Sequence, residues 1–420
     1  MKIKIFFSIW IISILITIIY VYENPEKIDA IKKFFKDEDA QILDIKDLSI
    51  IKANSFDVKL EEVIKFENGF KTAFVTLDYK EKEEKKNIKI NDLIIYFQNG
   101  SVIKKNLKIN QIEFENFTDD FNGGIKNIFI YDNVEFAYLT MYQNECYYVS
   151  IFNLSNNKEI FKTECLPDGE INFNGVGSAT LHLEESILLS IGVPGWNGIE
   201  IAKLAQNPNS FFGKILQINK DELDQIILNK IEKIEPKIFS LGHRNPQGLT
   251  KLNNKIFSTE HGPKGGDELN LIQEGRNYGW PISSYGIKYD FDESDSKYFK
   301  SHEDHGFEEP LFALVPSVGL SSLNNCSKII KNFYNKPCLM ALSLWGNELR
   351  QGKSLIIYLL DKKMQKIIST EKIFLGNEYP LRHFVTYKDN KLYEDTNGDI
   401  FISVDGKGIF KLKFLLENSD

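Results

Sequence analysis

One segment of the sequence, Leu241 to Pro281, is denser in glycine, histidine, arginine, asparagine and acidic residues than any other. It opens with the polar run Gly242-His243-Arg244-Asn245-Pro246-Gln247-Gly248-Leu249, and a second polar block follows Gly262-Pro263. These residue types offer a planar cation, imidazoles, side-chain amides and carboxylates within one short segment. Loops with so many donors and acceptors need partners, which a polar ligand site supplies more readily than a core. The segment is therefore the first candidate for a functional site.

The elements that would position these residues are short strands. Within the segment, Lys255–Thr259 is a strand candidate between turns marked by Gly-Pro and Gly-Gly pairs. Similar apolar runs, separated by turns, recur along the chain at residues 73–77, 93–97, 127–131, 187–191, 215–218, 356–360 and 400–404. Strands at this density, with few long helical windows, predict an all-β sandwich, barrel or propeller.

The polar segment closely resembles the glucose/sorbosone dehydrogenase family, the soluble sugar dehydrogenases that use pyrroloquinoline quinone (PQQ). Two blocks carry the resemblance: residues 242–249, and then Gly262, Pro263, Asp267, Glu268 and Asn270 followed by Asn277-Tyr278-Gly279-Trp280-Pro281. Three further segments are similar to family elements, namely residues 123–125, 212–218 and 316–320. The resemblance implies an all-β fold, a six-bladed β-propeller, with cofactor and substrate at one end of its axis.

The resemblance also implies residues that would bind PQQ. Arg244 and Asn245 match family positions that contact the quinone, and Gln247 lies beside them. Of the family's Arg-x-Arg pair only Arg382 remains, because the chain has Pro380 at the other position. Trp345 stands where the family has a lysine that binds a carboxylate, and an indole there would suit stacking against a flat ligand.

Calcium is the second implied cofactor. The carbonyl groups of Gly262 and Pro263 match family groups that hold calcium under the quinone, and hard cations favour such oxygens. Asp267 and Glu268 could add negative charge to that site or could instead stabilise a turn. Arg244 has an alternative as well, in which it caps blade carbonyls or pairs with one of these two acids.

The catalytic base is unknown. Sugar oxidation by a quinone needs a base that takes the hydroxyl proton while hydride leaves. Asn174, in Asn174-Gly175-Val176-Gly177-Ser178, occupies the position of the family's catalytic histidine, and an amide cannot act as a general base near neutral pH. His182 is nearby in sequence, but the alternating pattern from Ala179 to Ile191 favours a place within a blade strand.

The chain organisation is predicted from its N-terminus. Residues 1–23 form a transmembrane anchor or signal segment, because Lys2 and Lys4 precede an uncharged run from Ile5 to Tyr22. The rarity of small residues before Ala30 favours an uncleaved anchor over a cleaved signal peptide. A juxtamembrane linker follows at 24–48 and the propeller at 49–417, although residues 49–115 could instead form a separate small β domain.

Charge and cysteine content fit an exported protein. The 420 residues carry a formal net charge of −8, which argues against a nucleic-acid partner. Cys146 and Cys165 flank a predicted hairpin, and Cys326 and Cys338 flank another short segment, so two local disulfides are expected. The predicted location is the periplasmic side of a bacterial inner membrane, held by the single N-terminal anchor, or the periplasm if that segment is cleaved.

Two functions are expected from these observations. The first is an exported PQQ-dependent-type oxidoreductase that oxidises a sugar or a related alcohol or aldehyde, with an unknown electron acceptor. The alternative is a propeller of the same family that has no catalytic activity and binds a carbohydrate or a protein partner. The matched central segment favours the enzyme, whereas Asn174, Trp345 and Pro380 favour the binding protein.

Overall fold

The computed structural model describes residues 51–52, 56–66, 69–77, 92–104, 109–167, 171–195, 199–289, 297–376 and 378–416. Within these ranges the strands form six sheets, most of them of four antiparallel strands. The sheets are the blades of a six-bladed β-propeller, so the predicted fold class is confirmed for the described part of the chain. The predicted anchor and linker, residues 1–48, lie outside the described residues. No helix in those described ranges is long and apolar enough to cross a bilayer.

The first two strands belong to the last blade, and the next twenty build five blades in chain order. The leading strands are β1 (Ile51–Lys52) and β2 (Asp57–Lys65). Blade 1 has β3 (Thr72–Leu77), β4 (Leu93–Phe97), β5 (Ser101–Ile103) and β6 (Ile109–Gln111). Blade 2 has β7 (Ile125–Tyr131), β8 (Val134–Gln143), β9 (Cys146–Asn153) and β10 (Lys158–Lys162). Blade 3 has β11 (Thr180–His182), β12 (Ser186–Ile191), β13 (Lys214–Asn219) and β14 (Lys237–Leu241). Blade 4 has β15 (Pro246–Leu252), β16 (Lys255–Glu260), β17 (Asp267–Ile272) and β18 (Phe312–Leu314). Blade 5 has β19 (Leu320–Asn325), β20 (Cys338–Ser343), β21 (Ser354–Leu360) and β22 (Ile367–Phe374).

Blade 6 closes the ring by combining the two ends of the described chain. It contains β23 (Leu381–Phe384), β26 (Ile400–Val404) and β27 (Gly408–Leu415), and β2 pairs with β27. In that pairing Val58 lies opposite Phe414 and Leu60 opposite Leu412, all four of them buried. The described residues between 51 and 115 therefore divide between two blades of one propeller, whereas the sequence left open a separate small β domain.

A hairpin inserted in blade 6 reaches into the central channel. Its strands are β24 (Thr386–Tyr387) and β25 (Lys391–Leu392), and β24 pairs in parallel with β3 of blade 1. At the hairpin's tip Asn390 Nδ2 donates to Thr180 Oγ1 of blade 3 at 2.7 Å. A cavity of about 50 Å³ beside the tip is lined by residues of all six blades. That volume holds a few water molecules at most, so the part of the central channel beside the hairpin is nearly filled by side chains.

Between the strands of the described residues lie three short helices, and local capping explains two of them. They are α1 (Ile199–Lys203), α2 (Lys220–Ile227) and α3 (Lys328–Tyr334). The Asn219 side chain accepts a hydrogen bond from the backbone N–H of Asp221 at the start of α2, and Ser327 does the same for Ile330 in α3. Asn335 ends α3 in the left-handed conformation. Short 3₁₀ turns occur at Asp120–Asn122, Phe173–Gly175, Leu204–Gln206, Glu303–His305 and Glu348–Arg350.

The core lies between neighbouring blades. Phe257 of blade 4, for example, is buried in one apolar cluster with Leu339 and Tyr358 of blade 5. Both expected disulfides form, Cys146–Cys165 across the β9–β10 hairpin and Cys326–Cys338 at the base of α3. Burial of the apolar faces contributes about 25 cal/mol per Å² and stacks the blades into one rigid scaffold.

Candidate functional site

The inner strands of the blades begin at one end of the channel. Hydrogen bonds join neighbouring blades there: Ser178 N–H donates to the Pro246 carbonyl at 3.3 Å, and Ser321 Oγ donates to the Leu381 carbonyl at 2.7 Å. His383 Nε2 contacts the Thr72 carbonyl at 3.2 Å. We call this end the mouth, defined by the first residues of the six inner strands: Thr72, Ile125, Thr180, Pro246, Leu320 and Leu381. Because the next strand of each blade runs antiparallel, its last residues also reach the mouth.

Asn245 lies directly before β15 at the mouth, and its side-chain amide is fully used. Its Oδ1 accepts from Gly177 N–H at 3.1 Å and from Gln247 Nε2 at 2.6 Å. Its Nδ2 donates to the Asn174 carbonyl at 2.9 Å and contacts His261 Nδ1 at 3.0 Å. Asn245 thereby fixes the loop that precedes blade 3, besides any contact with a ligand.

Gln247 follows two residues later on β15 and is also buried. Its Nε2 lies 3.3 Å from the Asn174 carbonyl, and its Oε1 accepts from Ser178 Oγ. Both side chains from the predicted cofactor segment therefore hold the Asn174 loop against blade 4.

Arg244 is partly buried and lies beside an indole and a backbone carbonyl. Its Nη1 donates to the His261 carbonyl at 3.0 Å, and its guanidinium lies 5.3 Å from the Trp280 ring centroid. The side-chain Nε has no hydrogen-bond partner although it is buried. The structure thus gives Arg244 one capping bond to a carbonyl and leaves part of a planar cation available at the mouth.

His261 belongs to the site, and the sequence interpretation missed it. The ring is buried, and burial together with the positive charges of Arg244 and Arg382 lowers the pKa of His261 to about 4, although Asp267 opposes the shift. Nδ1 accepts from Asn245 Nδ2, whose orientation is fixed by its bonds to Gly177 and Asn174. The neutral ring therefore carries its proton on Nε2, which forms no hydrogen bond of normal geometry, although the nearby Leu320 backbone raises the pKa against the effect of burial. The sequence did contain a signal for this residue, because His261 directly precedes Gly262-Pro263, the predicted calcium-binding segment.

Asn174 and His182 were the two residues considered for the catalytic base. Neither of them presents an imidazole at the mouth. Asn174 sits in the 3₁₀ turn Phe173–Gly175, and its backbone carbonyl receives the two amide bonds described above. His182 lies on β11 with its Nδ1 3.7 Å from Asp389 of the inserted hairpin, and burial lowers its pKa to about 4. Its place within a blade strand agrees with the sequence interpretation.

The groups expected at a calcium site lie between β16 and β19. Asp267 Oδ2 accepts from the amides of Val318, Gly319 and Leu320 at 2.8, 2.6 and 3.3 Å, and its Oδ1 accepts from Gly262 N–H at 3.1 Å. Four amides thus satisfy this carboxylate, as in the turn-stabilising alternative. Pro263 offers a carbonyl that lies 3.4 Å from Ser317 Oγ. The described ranges contain no group of three histidine, cysteine or acidic residues arranged to bind a metal.

Glu268 lies deeper in blade 4 in a buried acidic cluster. Asn270 Nδ2 donates both to Glu268 Oε2 at 3.1 Å and to Glu260 Oε1 at 2.7 Å. Burial and the adjacent Glu260 raise the pKa of Glu268 well above its ordinary value. Burial also raises the pKa of Glu260, but His243, the Arg244 amide and Asn270 outweigh it and hold that pKa below the ordinary value. One neutral and one ionised carboxyl group therefore share the cluster.

Trp345 stands at the rim of the mouth with its side chain about half exposed. Its backbone N–H donates to the Val318 carbonyl at 2.9 Å, and its ring lies 5.0 Å from the His261 ring. Gly319 lies under the indole with φ at 68°, and a Cβ there would come within 2.7 Å of the ring. The loop held by Asp267 therefore places an indole beside the unpaired His261 N–H.

Arg382 enters from blade 6 and is paired with an acid. Its Nε donates to Asp405 Oδ2 at 2.9 Å, and Nη2 contacts the same oxygen. The other oxygen, Oδ1, accepts from Thr72 N–H at 3.3 Å. Lys126 on β7 lies within electrostatic reach of Arg382 and is nearly fully buried. The mouth thus brings Arg244, Asn245, Gln247, Trp345 and Arg382 to one end of the channel, and it adds His261 and Lys126.

A family model for glucose/sorbosone dehydrogenases matches residues 147–401. The aldose sugar dehydrogenase YliI of Escherichia coli is 28% identical over 206 residues, 47% of this chain and 52% of that protein. Aligned segments span about half or less of the curated relatives that the chain matches.

Two solved structures share the fold. The soluble aldose sugar dehydrogenase of E. coli, in its apo form, has a TM-score of 0.62 and 17% identity, covering 85% of this chain and 99% of that one. The PQQ-bound aldose sugar dehydrogenase of Streptomyces coelicolor has a TM-score of 0.55 and 17% identity, covering 85% and 98%. Since the family model covers more than half of the sequence, the chain belongs to the glucose/sorbosone dehydrogenase family.

Proposed function

We propose that this protein is a PQQ-dependent-type oxidoreductase that oxidises an aldose or a related alcohol or aldehyde. The observation that carries the proposal is the pair of unsatisfied donors at the mouth, Arg244 Nε and His261 Nε2, beside a half-exposed indole. Buried polar atoms are normally paired, and an unpaired set at the end of a channel points to a polar ligand. Family membership favours a sugar among such ligands.

The donors fit a flat anionic quinone. Arg244 could stack on the ring or donate to a quinone oxygen, His261 could donate through Nε2, and Trp345 could cover the outer face. When bound, PQQ supplies the acceptor for the hydride that leaves the substrate carbon. The residues of this chain would bind it, orient it and stabilise negative charge on its oxygens.

Calcium binding remains a proposal based on Gly262 and Pro263. Their carbonyl oxygens would provide the hard ligands, and further ligands would come from the quinone and water. Asp267 would affect the calcium site through its negative charge and not as a ligand, because its two oxygens already accept hydrogen bonds from four amides. Glu268, as a neutral acid in the next layer, would contribute a hydrogen bond and no charge.

One observation favours the alternative of a binding protein without catalysis. Asn174 is an amide, and His261 presents N–H rather than a lone pair, so neither accepts the proton of a sugar hydroxyl at this mouth. A protein that binds sugar and quinone without turnover would leave the same hydrogen-bond pattern. The two functions are separated by measuring binding and turnover together.

The exported part of the protein, purified with its disulfides intact, would be titrated with PQQ with and without calcium. Reduction of a redox dye would be followed with a panel of aldoses. We expect PQQ binding and turnover in wild type, and a loss of kcat/KM of roughly 100-fold in Arg244→Met, since a cation at the quinone stabilises developing charge. Arg276→Met is the control, because Arg276 is exposed and pairs with Glu308 at 3.4 Å.

Absence of PQQ binding at micromolar concentration would end the dehydrogenase proposal. Binding without turnover for any aldose would establish the alternative. Equal activity in Arg244→Met and Arg276→Met would remove the assignment of Arg244.

We also propose that the propeller is exported and held by residues 1–23. Two disulfides within the described residues support export, because disulfides persist in oxidising compartments. The test is a set of alkaline phosphatase fusions after residue 48 in a bacterial host. High phosphatase activity in the membrane fraction is expected, and an inactive fusion that stays in the cytoplasm would contradict the proposal.

A further inference from the structure

A surface rich in lysine lies at the end of the propeller opposite the mouth. The inner strands β15 and β19 begin at the mouth, and β21 runs in the same direction as β19, so the turns that follow these three strands lie at the far end. The turns, with the residues that flank the first of them, are 251–255, 326–337 and 361–366. We call the surface that they form the lysine face.

Hydrogen bonds hold the three turns together. Asn325 Nδ2, at the end of β19, donates to the Lys251 carbonyl at 3.0 Å. Lys255 Nζ donates to the carbonyl of Met364 at 3.5 Å, and Asn253 Nδ2 contacts Met364 Sδ at 3.4 Å. The lysine face is therefore one continuous surface across blades 4 and 5.

The charge of the lysine face departs from that of the whole protein, whose formal net charge is −8. The first turn contains two lysines, the second three and the third three, and Asp361 is the one acidic residue among them. Both oxygens of Asp361 accept hydrogen bonds from backbone amides, Oδ1 from Gln365 at 2.7 Å and Oδ2 from Lys363 at 3.3 Å. The turn after the third strand of blade 3, residues 220–236, has five acids and three lysines. The positive charge is thus a property of blades 4 and 5 and not of the whole end.

The helix α3 adds an aromatic ring to the lysine face. Phe333 is 40% exposed, although its ring centroid lies 5.6 Å from that of Phe56. Seven of the eight lysines are exposed, and Lys255 is partly buried. Exposed lysines around an aromatic side chain are features of protein surfaces that rest on the headgroups of an anionic bilayer.

The polypeptide also enters the propeller at this end. The first residue of β2, Asp57, pairs with Leu415, the last residue of β27, and β1 pairs with the first residues of β2. Phe56, directly before β2, contacts Phe333 of the lysine face. The segment that precedes β1 therefore attaches to the propeller at the end opposite the mouth.

We propose that the lysine face binds the anionic headgroups of the bilayer in which the chain is anchored. The lysines would then hold the propeller with its mouth turned away from the membrane. An acidic protein is the other occupant that such a charge could take, but a nearby anchor raises the effective concentration of lipid at this face. The inference goes beyond the proposed oxidoreductase activity, and it rests on the proposed anchor only for this tethering.

Hydrogen–deuterium exchange of the whole 420-residue chain in lipid nanodiscs tests the proposal. One preparation contains phosphatidylcholine alone, and the other contains phosphatidylcholine mixed with phosphatidylglycerol. Amide exchange within 326–337 and 361–366 should be several-fold slower on the anionic discs, while exchange in the mouth segment 316–320 should be equal on both. High salt should remove the difference, because it screens charges at the membrane surface.

Two charge variants show whether these lysines are responsible. The double variant Lys331→Gln/Lys363→Gln should lose the slower exchange on anionic discs. The double variant Lys158→Gln/Lys230→Gln, which removes two exposed lysines from blades 2 and 3, should keep it. Equal melting temperatures for the two variants would show that neither set of substitutions disturbs the fold.

Sedimentation with preformed vesicles separates the lysine face from the anchor. If the chain does not remain in the nanodiscs, the proposed anchor has failed, and the same proteins are sedimented with vesicles that contain phosphatidylglycerol. Each lysine near an anionic surface strengthens binding by roughly five-fold, so the Lys331→Gln/Lys363→Gln variant should bind roughly 10- to 30-fold more weakly. Such a loss, absent from the control variant, would support the lysine face although the anchor had failed.

Three other outcomes would overturn the proposal. Equal exchange on both kinds of disc would show that anionic lipid has no effect on the lysine face. Slower exchange that persists in Lys331→Gln/Lys363→Gln would assign the contact to other residues. Slower exchange with polyglutamate but not with anionic lipid would indicate an acidic protein partner instead of a membrane. None of these outcomes would affect the dehydrogenase proposal, which concerns the opposite end of the channel.

Discussion

At the scale of single residues, the site differs from the rest of the protein in how its charged groups are paired. Lys214 donates to three carbonyls, those of Leu204, Ala205 and Phe212, at 2.8 to 2.9 Å. Such a lysine acts as an internal cation that joins loops. Lys126, which is also buried, makes one such bond, to the Asn122 carbonyl.

Lys411 is a second lysine whose charge is paired within the protein, in this case by acidic side chains. Its Nζ lies 3.0 Å from Asp399 Oδ2 and also contacts Asp395. Burial lowers the pKa of Lys411, but the bonds to the two acids outweigh it and raise that pKa. In the segment 395–399, the carboxylates of Asp395 and Asp399 are therefore paired with an ammonium group.

Four histidines whose pKa is lowered in the folded protein lead to a pH-dependence prediction. Burial lowers the pKa of His182 and of His261 to about 4 and that of His383 to about 3, and it lowers the pKa of His302 as well. In the unfolded chain these groups titrate near 6.5. Below that pH the unfolded state binds more protons, so the free energy of unfolding should fall as pH falls from about 6.5 to about 4.

Urea unfolding at pH 7.5 and pH 5.5 measures the effect. Each histidine contributes up to about 1.4 kcal/mol per pH unit in that interval. His383→Gln, which can still donate to Thr72, should reduce the slope, while His305→Gln on the surface should not. A free energy of unfolding that stays constant or rises on acidification would contradict the neutral state of the buried rings.

At the scale of elements, the sequence predicted that these strands exist, but it did not predict which blade each strand joins. The runs at 93–97, 187–191 and 400–404 are strands because each is an apolar segment bounded by turns. Such apolar runs between turns indicate strands of a sheet, but neither their length nor their composition says which blade they join. β2 shows the limit: it precedes β3 in sequence yet pairs with β27, a contact set by ring closure and not by local pattern.

The loops that carry the site were predictable only in part. The Gly-Pro and Gly-Gly turns marked where backbone would reverse, but the acid that orders the loop before β19 lies some fifty residues away. Asp267 gathers the amides of Val318 to Leu320 and so sets the position of Trp345. The inserted hairpin β24–β25 went unrecognised because two-residue strands carry no periodicity.

At the scale of the whole molecule, the polar segment Leu241–Pro281 alone supplies too few groups for a site. Arg244 and His261 come from blade 4, Arg382 from blade 6 and Lys126 from blade 2, and only the closed ring brings them to one mouth. The resemblance to the family identified those site residues that lie at positions matched in the family. Lys126 carries no motif, and only the folded structure shows that it is buried near the start of an inner strand.

Because the site needs the ring, closure by β2 should control both stability and binding. β2 buries Val58, Leu60 and Ile64 against blade 6, and each such side chain contributes about 1.5 to 3 kcal/mol. A chain beginning at Ile51 should unfold cooperatively. A chain beginning at Phe66 should expose the β27 edge, aggregate more readily and unfold at a temperature at least several degrees lower.

The comparison would be made by scanning calorimetry and light scattering on both chains. The chain beginning at Ile51 is the control, since it removes the predicted anchor and linker but keeps β2. A second readout is ligand binding at the mouth, which requires Arg382 of blade 6 and Arg244 of blade 4 to stay at one end of the channel. If the shorter chain melted and bound ligand like the longer one, closure through β2 would not be what holds the mouth together.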